Sequence, residues 1–205
     1  MTARHALAVV LFLTPSCTSA QRHGASPAYL IVDVLEAASG AEPTTFGGTL
    51  ASDVITVVTR RQAGVEGQQA TVFEDFGRVE FSLALKDPGS AASPAQPTTT
   101  NFITVTRYHV RFIRADGRNV PGVDVPYAFD GAFTVTVGSA SETATFTLVR
   151  SQAKQEAPLA ALAAEGSVIS TIAEITFYGT DQVRRAVTTV GRISVNFANW
   201  SDPER

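Results

Sequence analysis

The stretch FITVTRYHVRFI, residues 102–113, carries two apolar sets in opposite phase. Ile103 and Val105 share one phase, while Tyr108, Val110 and Phe112 share the other. Side chains of a strand alternate between faces, so a one-residue slip turns every later side chain to the opposite side. A bulge near Thr106-Arg107 absorbs that slip and keeps both sets inside. The stretch therefore predicts one long bulged strand with a single buried face, and such a face needs a second sheet to cover it.

The same period-two pattern recurs outward from this strand. Val79, Phe81, Leu83 and Leu85 alternate with Arg78, Glu80, Ser82, Ala84 and Lys86. Phe133, Val135 and Val137 alternate with threonines, as do Ala144, Phe146 and Leu148. Ile193, Val195 and Phe197 alternate with Ser194 and Asn196. Each set puts one face on a core and one in water, as in an antiparallel sheet. Further strands are expected over 29–35, 53–59, 167–178 and 183–189, giving about eight or nine. Gly, Pro and Ser mark 87–100 as an exposed connection, and 115–118 reads as a hairpin turn. Residues 152–165 are the one helical patch, with Pro158 opening a short crossover helix over 159–164. The predicted fold is all-β: one antiparallel sandwich over 28–200, followed by a short tail, 201–205. Its expected core includes Phe81, Tyr108, Val110, Phe112, Phe133, Phe146, Ile175, Phe177 and Val195.

The last third adds a resemblance. Ile175 to Asp181, followed by Val183 to Phe197, resembles the final hairpin of bacterial immunoglobulin-like domains. These domains often carry a strand, an Asp-containing turn with Gly and Asn, and a closing strand. Arg184 and Arg185 stand where that family tends to have Gly-Asn. The resemblance implies an immunoglobulin-like sandwich but no particular activity.

The N-terminus supplies an address. A short cationic start (Arg4, His5) precedes eight apolar residues, Ala6 to Leu13, and then Thr14-Pro15-Ser16-Cys17. That is the layout of an export signal, and eight residues fall far short of the roughly 20 that span a bilayer. The segment 1–17 resembles a bacterial lipoprotein signal, with Cys17 as the lipid acceptor, though Leu13 lies four places before it rather than three. Cleavage after Ala20, giving a soluble secreted protein, is the alternative. Cys17 is the only cysteine, so the folded part has no disulfide. Residues 18–27 read as a flexible tether. The expected location is an exported, outer-membrane or periplasm-facing lipoprotein. The net charge of −3, with scattered Lys and Arg, argues against nucleic acid as a partner.

Chemistry-bearing motifs are sparse. His109 is the one histidine inside the fold and is expected to face solvent between Arg107 and Arg111. No Gly-x-Ser-x-Gly elbow, His-Glu-x-x-His pair or phosphate loop occurs, so no catalytic residue, metal ligand or cofactor is assigned and a non-enzymatic role is expected. Glu74-Asp75 precedes an expected turn at Gly77. Asp116, Asp124 and Asp130 fall in the Gly- and Pro-rich stretch 115–131. They could bind Ca²⁺ or serve a glycosidase, but they read first as turn formers, with Asp116-Gly117 and Asp130-Gly131 as turn pairs. The same stretch is the candidate binding loop: Asp116, Arg118, Asn119, Asp124, Tyr127 and Asp130, on a loop where rigid scaffolds place function. The partner classes expected are a membrane through acylated Cys17, and an envelope protein or, alternatively, a glycan stacked on an exposed aromatic such as Trp200.

Overall fold

The computed structural model describes residues 25–62 and 65–200. Cys17 and the export signal lie outside the described residues. Twelve strands are described: β1 Ala28–Ala38, β2 Thr49–Asp53, β3 Thr56–Gln62, β4 Val65–Thr71, β5 Asp75–Leu85, β6 Gly89–Ser90, β7 Ser93–Pro94, β8 Ile103–Ile113, β9 Phe129–Val137, β10 Glu142–Val149, β11 Ile169–Asp181 and β12 Ala186–Ala198. Two short helices, α1 Ser151–Lys154 and α2 Leu159–Glu165, lie between β10 and β11.

Eight of these strands form two sheets. One has the order β1-β5-β10, the other β2-β12-β11-β8-β9. Every pairing is antiparallel except β12 with β2, which is parallel. The strands β3-β4 and β6-β7 form separate two-stranded hairpins.

The bulge in β8 is present. Against β9 the register shifts between Val105 and Arg107, and against β11 between Tyr178 and Gly179, so Thr106 has no rung in either ladder. Ile103, Val105, Tyr108, Val110 and Phe112 are all buried as a result. The faces of the two sheets meet through aromatic rings. Phe81 of β5 stands edge-on to Phe177 of β11 at 5.0 Å, and Phe146 of β10 lies 4.9 Å from Tyr108 and 5.6 Å from Phe177. Buried side chains of this size each contribute roughly 1.5–3 kcal/mol by leaving water. The Tyr108 hydroxyl donates to the Thr147 carbonyl at 3.1 Å, so its burial leaves no unpaired polar atom there.

Several expectations are corrected. Twelve described strands replace the eight or nine, because β4 and the small β6-β7 hairpin carry no apolar alternation. Two helices replace the single crossover helix. Residues 183–189 and 193–197 do not form two strands: β12 is continuous, and the turn sits at 181–185. The stretch 53–59 is split between β2 and β3. Gly77 is no turn but lies within β5, where the Phe146 ring covers it so closely that a Cβ would come within 2.4 Å of the ring. Asp130-Gly131 likewise lies within β9, and Gly131 makes room for the Tyr108 ring. Phe133 is only partly buried, since it sits where the β9 register shifts opposite the bulge.

The two ends of the sheets differ. At one end lie the start of β1, the Asp181 turn and the 86–102 connection. Ser26 is buried there, Pro27 accepts a bond from the Lys86 amide at 2.8 Å, and Ile103 pairs with Asp181. At the other end lie the 39–48 connection, the base of the β3-β4 hairpin, the loop 114–128 and both helices. An eleven-residue strand such as β8 separates these ends by about 35 Å at ~3.3 Å per residue.

Candidate functional site

The loop 114–128 leaves β8 at the loop-rich end and returns as β9. Its first half is organised by Asp116. The carboxylate accepts from Arg114 Nη2 at 2.6 Å, from Arg118 Nε at 3.0 Å and from the Arg118 amide at 3.1 Å. The Arg114 hydrogen bond is the largest influence, and together with Arg118 it holds the Asp116 carboxyl well below the usual carboxylate range. Gly117, at φ 81°, provides the left-handed residue that this tight reversal needs. Asn119 closes the base, accepting from the Arg114 amide at 2.7 Å and donating to its carbonyl at 3.3 Å.

The second half is a compact turn. Asp124 accepts from the Val120 amide at 3.0 Å, while the Gly122 amide donates to the Val125 carbonyl at 2.8 Å. Gly122, at φ 75°, lets the Tyr127 ring lie against the backbone. Val125 and Pro126 are buried and pin the turn to the core. The other residues stay outside: Val120 is 56%, Val123 67% and Tyr127 52% exposed.

Facing this loop is α2. Between them lies a cleft of about 580 Å³, lined by Arg114, Arg118 and Val123 on one side and by Ala161, Leu162 and Val168 on the other. The cations of the rim, Arg114 and Arg118, are balanced by Asp116, which pairs with both, and by Asp124, which lies within electrostatic range of Arg114, over an apolar floor.

Five of the six candidate residues are thus on one loop, and Arg118 also lines the cleft. Asp130 is not with them. It lies on β9, paired in register with His109, with its carboxylate 3.3 Å from His109 Nδ1 and 3.4 Å from Arg107. Asp116, Asp124 and Asp130 therefore have three different sets of donors and do not converge, and among the described residues no group of three His, Cys, Asp or Glu side chains is placed to hold a metal ion. Trp200 is 38% exposed, and its amide donates to Asp53 at 3.1 Å.

Sequence reasoning missed two polar constellations. On the outer face of the five-stranded sheet, Glu174 of β11 accepts from Arg192 of β12 at 2.6 Å and from Arg111 of β8 at 2.8 Å. The Arg192 bond, then that of Arg111, holds the Glu174 carboxyl below its ordinary value. Cross-strand register makes this triad, and only the pairing of three strands reveals it. The second is buried: Asp75 meets Lys154, with side-chain exposures of 0% and 1%. Its neighbour Glu74 is instead exposed and accepts from the Thr147 hydroxyl at 3.4 Å.

No protein-family model, no curated protein and no solved structure matches the chain.

Proposed function

We propose that the chain is an exported, non-enzymatic immunoglobulin-like β-sandwich, lipid-anchored through Cys17, that binds another envelope protein with its loop-rich end. The observation that carries this reading is the polarity of the fold. The chain enters at Ser26 and Pro27, beside the Asp181 turn, whereas the cleft and the exposed Val120, Val123 and Tyr127 lie at the opposite end. An anchor on the N-terminal side presents that end away from the membrane. Exposed apolar side chains beside Arg and Tyr are the composition that protein interfaces favour. A glycan ligand is the alternative, supported by the half-exposed Tyr127 ring, on which a sugar can stack.

The test uses Arg118→Ala and Tyr127→Ala in capture from envelope fractions. Both residues are exposed, so stability should stay within about 0.5 kcal/mol of the wild type. Capture of the same partner should fall in both variants. Unchanged capture contradicts the assignment of this end. Inhibition of capture by soluble envelope glycan, with no protein partner recovered, moves the glycan reading to the front.

A further inference from the structure

We propose that a second, open cleft, at the end of the sandwich where the chain enters, binds a neutral sugar residue. This cleft has a volume of about 370 Å³ and is lined by Thr99, Thr100, Phe102, Thr104, Thr136 and Gln182. Four hydroxyls, one carboxamide and one aromatic ring make up the set, and no charged side chain belongs to it. A charged ligand would find no counter-ion here, and a purely apolar one would strand the hydroxyls. A sugar matches both features. It carries hydroxyls around its rim and C–H groups on its faces, which an aromatic ring can cover.

Three separate elements bring these side chains together. The first is the helical turn Thr99–Asn101 that precedes β8. Asn101 Oδ1 fixes it by accepting from the Thr98 amide at 3.0 Å and from the Thr98 hydroxyl at 2.9 Å. The second is the β8-β9 ladder, where Thr104 and Thr136 are direct partners and their hydroxyls lie 2.9 Å apart. The third is the turn after β11. There Gln182 Nε2 donates to the Phe102 carbonyl at 3.3 Å and to the Thr104 hydroxyl at 3.2 Å. Phe102 rests against Gly138, where an added Cβ would stand 3.1 Å from the ring. The site is held in shape before a ligand arrives, which lowers the ordering cost of binding.

These bonds leave capacity toward the cleft. Among the described residues, nothing donates to Gln182 Oε1, and the Thr99 hydroxyl has no partner. Thr104 and Thr136 use one hydroxyl hydrogen between them, so the other remains for a ligand oxygen. A sugar hydroxyl donates and accepts, so it can engage the free carbonyl and a free hydroxyl at once. Thr104 stands near the start of β8, whereas the loop 114–128 follows its end. The sugar cleft is therefore independent of the loop-rich end and of what that end binds.

The experiment is a nuclear magnetic resonance titration of the folded, isotope-labelled full-length protein with neutral trisaccharides of glucose, mannose and N-acetylglucosamine. The expected result is that at least one sugar, at millimolar concentration, shifts the amides of Thr99, Thr100, Thr104, Thr136 and Gln182 and leaves the loop 114–128 unmoved. Thr136→Val keeps the side-chain shape and removes one hydroxyl, so it should weaken that binding about tenfold, the worth of one hydrogen bond. Phe102→Leu, which stays apolar but has no ring, should weaken it to a similar degree. Tyr127→Ala should leave it unchanged, which separates this cleft from a glycan held at the loop-rich end. The proposal is overturned if none of the three sugars shifts these amides, or if Thr136→Val and Phe102→Leu fold and bind as the wild type does.

Discussion

Single residues show where the backbone is strained and where the core is tightest. Arg184 has φ 65° in the turn after β11, the conformation that Gly or Asn takes at low cost. It is held there because Asp181 accepts from the Val183 amide at 3.1 Å and from the Arg185 amide at 2.9 Å. Arg184→Gly should therefore raise stability by about 0.5–1 kcal/mol, measured by urea unfolding. A loss of similar size shows that the Arg184 side chain has a role that outweighs the strain. Phe177 is fully buried and meets Phe81, Phe133 and Phe146. Phe177→Ala should cost about 3–5 kcal/mol and unfold a large part of the population. A cost near zero contradicts the facing of the two sheets.

At the scale of elements, ion pairs link neighbouring strands and respond to acid. Arg192 first and Arg111 second hold the Glu174 carboxyl below its ordinary value. At Asp181, burial opposes ionisation, but hydrogen bonds from Arg185 and Ser26 outweigh it and the carboxyl again lies low. A group whose folded value is lowered adds stability that is complete above the unfolded value and is lost as pH falls through the folded one. The melting temperature should thus hold steady above about pH 5 and drop between roughly pH 4 and 2. Glu174→Gln should lower it at neutral pH and flatten the acid limb. A wild-type melting temperature unchanged to about pH 3 contradicts this linkage.

The elements also mark what the sequence could reveal. The bulge in β8 was legible because two apolar phases in one strand have few other solutions. The β3-β4 hairpin was not, because residues 65–71 (VEGQQAT) alternate no apolar set and the hairpin joins neither sheet. Gly77 and Gly131 look like turn residues in isolation. Their task is to admit the rings of Phe146 and Tyr108, which come from other strands. Loop residues Asp116 to Tyr127 could be grouped from their spacing alone. The α2 wall of their cleft could not, since only the folded chain brings 157–169 beside them. Lys154 looks like an ordinary helix cation until its partner, 79 positions away, closes over it.

At the scale of the whole molecule, the fold has a direction. The chain enters the sheets at Ser26, and the cleft between the loop 114–128 and α2 lies about 35 Å away along the strands. That arrangement presents the proposed partner site outward only if the N-terminal side is fixed to a membrane. One acyl chain gives marginal attachment, and stable anchoring takes two. The most direct measurement is the intact mass of the mature protein recovered from the membrane fraction. The expected mass begins at Cys17 and includes at least two acyl chains, and Cys17→Ser should release the protein from that fraction. A soluble mature protein beginning at Gln21, with no acyl mass, contradicts the anchor and with it the outward-facing role of the loop-rich end.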